Sequence, residues 1–287
     1  MKVSYAHYTL IFRQPAGTSR GVLTEKETYF LKLEDEDMPG VFGLGECAVF
    51  RGLSADDVPT YEDKLRELCA NISADKETDL HEFPSIRFGL ETAINDFANG
   101  CRRQPFPSDF TEGMSAIPIN GLVWMGTKEE MLHRIDDKIK AGFTTIKLKV
   151  GAIDTESELD LVRHIRKVFP PEVLTIRLDA NGGVTPDNAM QKLSDFARYG
   201  IHSIEQPIKQ GQWEAMRRIC SESPIDIALD EELIGIHTPE RMGEMLDAVR
   251  PKYIILKPSL IGGFSGSQDW IMQAARRDIG GWVTSAL

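Results

Sequence analysis

The 287-residue sequence holds only four cysteines, Cys47, Cys69, Cys101 and Cys220, scattered and with no C-x-x-C pair. That spacing indicates neither a zinc knuckle nor a disulfide framework, so free, partly buried thiols are the expectation. Basic charge is also short. Thirty-three Lys and Arg stand against 44 Asp and Glu, a net charge of −11, which argues against nucleic acid or an anionic membrane surface as partner, since either needs a basic patch. No apolar run approaches the ~20 residues of a membrane span. The opening Met1-Lys2-Val3-Ser4-Tyr5-Ala6-His7 lacks a signal-peptide core, and a cytoplasmic location is expected. What remains, 41% hydrophobic and 27% charged residues, is the composition of a globular protein, long enough for one large core and a smaller lobe.

Between Lys147 and Lys257 four polar signatures recur, each closing a short apolar run: Ile146-Lys147-Leu148-Lys149, Ile176-Arg177-Leu178-Asp179-Ala180-Asn181, Ile204-Glu205-Gln206-Pro207 and Ile227-Ala228-Leu229-Asp230-Glu231. A fifth, Ile254-Ile255-Leu256-Lys257-Pro258, completes the set. From Lys149 to Asp179, Glu205, Asp230 and Lys257 the steps are 30, 26, 25 and 27 residues. One strand, one helix and two loops of a (β/α)8 barrel need about that much, and such a barrel gathers its C-terminal strand ends around the active site.

The flanking sequence fits. Thr127-x-x-Glu130 and Thr155-x-x-Glu158 read as capping boxes, while Thr185-Pro186 and Thr238-Pro239 read as helix starts. Counting from an apolar strand over Ile117–Val123 to Trp282–Leu287 gives seven strands. A closed barrel needs one more, so a further C-terminal strand beyond Leu287 is expected. Upstream, residues 3–13, 28–35 and 41–44 read as an antiparallel meander with Gln14–Gly21 as a loop, followed by helices over 61–72 and 86–97. The Pro/Gly/Ser-containing stretch at 108–115 marks the division into an α+β lobe of residues 1–112 and a barrel of residues 113–287.

Side chains alternate along a strand, so Lys147 and Lys149 point into the barrel and Leu148 toward the helices. Asp179, Glu205 and Asp230 come from adjacent strands and form a hard-oxygen set suited to Mg²⁺, with no histidine or cysteine to favour zinc. Lys257 stands four strands from Lys149, half the circumference, facing it across the metal. A lysine whose charged form is disfavoured by neighbouring cations is a usable base. The proton worth taking is one α to a carboxylate, whose enediolate needs a divalent cation. Glu231 and Glu232 either face the cavity or are loop charges. Asn181 either hydrogen-bonds near the metal or makes the turn.

At these residues the chain resembles the enolase superfamily in its muconate-lactonizing-type subgroup, through Lys-x-Lys, Asp-Ala-Asn, Glu-Gln-Pro, Asp-Glu and Lys-Pro on successive strands. The pairing of a Lys base with Mg²⁺ is general to enolase-type sites, so it comes with the resemblance and not from the spacing. Within the superfamily, Gln14–Gly21, Gly43-Leu44-Gly45-Glu46-Cys47 with Gly52-Leu53-Ser54, and Lys257–Gly263 resemble the o-succinylbenzoate synthases of menaquinone biosynthesis. The resemblance implies a (β/α)7β barrel with an N-terminal α+β capping domain, its last strand absent from this chain. It implies Mg²⁺ (or Mn²⁺) on Asp179, Glu205 and Asp230, Lys149 as acid/base, and electrostatic help from Lys147 and Lys257. The reaction implied is dehydration of a small cyclohexadiene carboxylate by a monomer or homo-oligomer. Thr18, Ser19, Arg20 and Asn181 are the candidate substrate contacts, with Thr18–Gly21 as a lid. Dipeptide epimerase or N-acylamino acid racemase chemistry on the same scaffold is the alternative, in which Lys149 and Lys257 each serve one face of the α-carbon.

Overall fold

The computed structural model describes every residue of the chain except Ser19, Arg20, Pro39, Ala152 and Leu287, and the side chain of Thr18 also lies outside the described set. An antiparallel sheet opens the chain: β1 (Lys2–Thr18), β2 (Gly21–Glu34) and β3 (Phe42–Cys47), in the order β1-β2-β3. The Gln14–Gly21 stretch expected as a loop is largely strand. The pairing register shifts between Ile11 and Ala16, where an irregularity absorbs Pro15, which has no N–H to give a ladder. Two helices, α1 (Tyr61–Ser73) and α2 (Pro84–Ala98), pack on this sheet over a core that includes Leu31, Leu65, Leu68, Ile86 and Ala93. β3 runs against α2 so closely that a Cβ on Gly45 would overlap the Gly89 carbonyl oxygen.

Seven parallel strands follow, with helices between them: β4 (Gly121–Val123), α3 (Lys128–Lys140), β5 (Thr145–Lys149), α4 (Thr155–Arg166), β6 (Thr175–Asp179), α5 (Pro186–Ala197), β7 (Ser203–Glu205), α6 (Trp213–Glu222), β8 (Asp226–Leu229), α7 (Pro239–Val249), β9 (Tyr253–Leu256), α8 (Gly263–Ala275) and β10 (Gly280–Val283). They lie in chain order from β4 to β10, the arrangement of a (β/α) barrel. The first strand is shorter than the apolar run suggested. Ile117 and Ile119 are 56% and 69% exposed, and pairing begins only where Gly121 meets Ile146. The last is displaced likewise, ending at Val283. No helix among the described residues is long and apolar enough to cross a membrane.

Local signals explain most helix starts. Thr127 and Glu130 form the reciprocal capping box, and the Thr238 hydroxyl accepts from the Arg241 N–H. Thr185-Pro186 starts α5 as expected, with Thr185 at the cap position and Pro186 opening the helix, although Thr185 makes no side-chain cap bond. One expectation fails. The box at Thr155 is not formed: Asp154 caps α4, accepting from Ser157 N–H, and Glu158 is buried and accepts from the Gly151 N–H. One residue earlier there was an equally good cap, and Glu158 was free to brace the loop that follows Lys149.

The barrel core is separate from the lobe core, but Phe50 belongs to the barrel cluster, and Leu23 and Leu53 pack on it. The lobe is pinned a second time where Phe264 of α8 meets Phe88 and Phe106 edge to face, at centroid distances of 5.2 and 4.6 Å. The hairpin and the residue 50–53 turn are thereby held against the barrel. All four cysteines are free, and only Cys47 is buried.

Candidate active site

Strand register places the chemistry. Lys149 pairs with Asp179, Asp179 with Glu205, and Glu205 with Ala228. Asp230 lies two residues beyond Ala228, so the two-residue period brings its side chain to the same face. Ile146 and Leu148 belong to the apolar core, as alternation requires, while Lys147 and Lys149 turn inward. Lys149 and Lys257 lie on strands four positions apart in the sheet order, as expected. A cavity of about 450 Å³ opens onto Lys147, Lys149, Arg177 and Lys257, with Asn120, Trp124 and Trp282 among its walls.

Inside, ammonium groups and carboxylates interleave. Lys147 Nζ lies 2.8 Å from Asp179 and 2.6 Å from Glu205. Lys149 Nζ lies 2.6 Å from Asp179 and donates to Asn181 Oδ1 at 2.7 Å. Lys257 pairs with Asp230. Burial opposes the charged form of Lys147, but Asp179 and Glu205 outweigh it and raise its pKa above the ordinary lysine value. Lys257 is raised in the same way, burial being overcome by Asp230 and Glu205. Burial likewise opposes ionisation of Asp179, yet Lys147 and Lys149 hold it below the usual carboxylate range. Glu205 goes the other way, pushed well up by burial and then by Asp179.

Among the described residues no three Asp, Glu, His or Cys side chains converge as they stand into a cage for an ion. The physical reason is visible in the pairs above: ammonium groups sit between the carboxylates. The donor set nevertheless fits a hard divalent cation. All the acidic groups offer oxygen, and Glu205 Oε1 is buried with no hydrogen-bond partner, so one acceptor at the centre of the row has nothing to satisfy it.

Asn181 makes the turn and also bonds within the ion cluster. Its backbone is left-handed at φ 43°, its N–H donates to Asp179 Oδ1 at 3.1 Å, and its side-chain amide bridges Lys149 to Glu231, donating to Glu231 Oε1 at 3.0 Å. Thr18 has no described side chain, and Ser19 and Arg20 lie outside the described residues. Sequence reasoning missed Gln206 and treated Glu232 as an optional loop charge. Both are buried, and Gln206 takes a φ of 38°, a conformation that no local pattern announces for glutamine.

Comparison with known proteins agrees with this architecture. Residues 130–286 match the family described as Enolase C-terminal domain-like. The chain is 43% identical over 321 aligned positions, covering all of it and 86% of the relative, to o-succinylbenzoate synthase of Desulfotalea psychrophila. Among solved structures it is similar to MenC of the same organism, with a TM-score of 0.87 and 39% identity over 100% of this chain and 86% of that one. It is similar too to o-succinylbenzoate synthase of Thermosynechococcus elongatus, solved with Mg in the active site, with a TM-score of 0.77 and 25% identity over 100% and 85% of the two chains. With the barrel, the strand-end lysines and the carboxylate row in one place, the chain belongs to the enolase superfamily.

Proposed function

We propose that the protein is a lyase that converts 2-succinyl-6-hydroxy-2,4-cyclohexadiene-1-carboxylate to o-succinylbenzoate, a step of menaquinone biosynthesis. The observation that carries this reading is the 43% identity to o-succinylbenzoate synthase along the whole chain. The site has the equipment. Lys149 takes the proton α to the substrate carboxylate and returns a proton to the departing β-hydroxyl on the same face, so that water leaves. Lys257, from the far side of the ring of strands, contributes positive charge to the forming arene, and Lys147 adds charge from below.

Asp179, Glu205 and Asp230 are the residues that would hold Mg²⁺, with Mn²⁺ as a substitute. The bound cation supplies Lewis-acid stabilisation of the negative charge that develops on the substrate carboxylate. The unsatisfied Glu205 Oε1 supports that assignment, as does the Mg in the Thermosynechococcus structure. Thr18, Ser19, Arg20 and Asn181 are proposed substrate contacts, Arg20 toward a carboxylate. The 1–112 and 113–287 division is supported by the two separate apolar cores, and the cytoplasm is the proposed location.

The test is a substrate panel with Mg²⁺: the cyclohexadiene carboxylate, followed by ultraviolet absorbance of the aromatic product, beside dipeptides and N-acylamino acids in deuterated water. Dehydration is expected, and lost in Lys149→Ala. Exchange of the α-hydrogen on dipeptides with no dehydration would replace this reading by epimerisation.

A further inference from the structure

The three carboxylates come from three separate strands, and something must hold those strand ends at a constant spacing. The residue placed to do so is Gln206, fully buried immediately after Glu205. A primary amide accepts two hydrogen bonds at oxygen and donates two from nitrogen. Gln206 uses all four. Its Oε1 accepts from the N–H groups of Asp230 and Glu232, at 3.1 and 3.2 Å. Its Nε2 donates to the Ile208 carbonyl at 2.9 Å and to Glu232 Oε2 at 3.2 Å.

The main chain of the same residue continues the pattern. Its N–H donates to the Ala228 carbonyl at 2.8 Å, and its carbonyl accepts from the Gly182 N–H at 2.7 Å. One residue thus ties the end of β7 to the end of β8 on one side and to the turn after Asp179 on the other. Its left-handed backbone is a region that side chains other than Asn and Asp rarely enter, and holding it there requires the surroundings to over-determine it.

Glu232 supplies that restraint. Its Oε1 accepts from the Gly211 N–H and the Trp213 Nε1–H, both at 2.8 Å, leaving Oε2 for Gln206. With Glu232 Oε2 accepting from the Gln206 amide nitrogen and the Asp230 and Glu232 N–H groups donating to its amide oxygen, the amide is held in one orientation.

We propose that Gln206, oriented by Glu232, is a positioning residue that sets the spacing of Asp179, Glu205 and Asp230. The proposal rests on the reading of those three as Mg²⁺ ligands. Partners that orient metal ligands change metal affinity about 10–100-fold when lost, and Gln206 reaches the ligand-bearing strand end through the Asp230 and Glu232 N–H groups, whereas a merely structural amide changes stability alone.

The experiment is titration of the purified chain with MgCl₂ by calorimetry, paired with melting in chelator, for wild type and Gln206→Met, which keeps the length and removes the four side-chain bonds. The expected result is a folded variant whose Mg²⁺ affinity falls at least tenfold. A variant that melts earlier yet binds Mg²⁺ as tightly as wild type overturns the proposal and leaves the metal reading intact. A wild type that binds no Mg²⁺ overturns the metal reading and this proposal with it. Should Gln206→Met fail to fold, Glu232→Gln carries the same test: it sets one amide nitrogen against another, and the same tenfold weakening is expected, unchanged affinity being the refutation.

Discussion

Asp56 offers a test of how the lobe is held together. The side chain is fully buried, and its Oδ2 accepts from the Ser85 N–H at 2.8 Å and the Ser85 hydroxyl at 2.7 Å, at the first turn of α2. Burial pushes the carboxyl from its ordinary 3.8 up to about 6, against the pull of the Ser85 hydrogen bonds. The folded state therefore holds this proton more tightly than the unfolded chain does. The stabilisation is fully present below pH 3.8 and is lost as pH rises through 6. A difference of about 2 pH units, at about 1.4 kcal/mol each, amounts to about 3 kcal/mol across that window. Asp56→Asn keeps an acceptor for Ser85 but cannot ionise. Its stability relative to wild type should improve by about 3 kcal/mol between about pH 4 and about pH 7.5, read as the change in the gap between two urea-unfolding curves. Titrations shared by both proteins cancel in that gap. Parallel stability profiles over the same range would refute the reasoning.

Lys257→Ala should remove activity, whereas Lys257→Arg, which keeps the charge without being a usable base, should retain part of the dehydration; loss of all turnover in the Arg variant points to a proton-transferring role. Asp230→Asn should abolish activity and the rise in melting temperature on adding Mg²⁺, and full activity of the wild type in chelator would exclude the metal. Gly45→Ala should destabilise the lobe by about 4 kcal/mol or more, because the added Cβ meets the Gly89 carbonyl of α2 and not a flexible side chain. A melting temperature within a degree of wild type would show that β3 and α2 can separate.

The sequence by itself determined the parts of this protein that depend on short periods. Two-residue alternation put Lys147 and Lys149 on one face and Leu148 on the other, and the 25- to 30-residue rhythm ordered Asp179, Glu205, Asp230 and Lys257 on successive strands. The Thr127–Glu130 box was legible because both of its halves lie within one turn. Only the tertiary structure decided what depends on partners distant in the chain. Asp154 took the cap in place of Thr155, which left Glu158 to turn inward to the Gly151 amide. The first barrel strand shortened to the three residues that pair with β5, and the last moved upstream to Gly280–Val283, beside β9. Gln206 left the ordinary backbone region because bonds to residues more than 20 positions away, at Gly182, Asp230 and Glu232, outweigh the local cost. Local propensity is set by nearest neighbours, whereas a saturated buried amide is set by the ends of two strands at once.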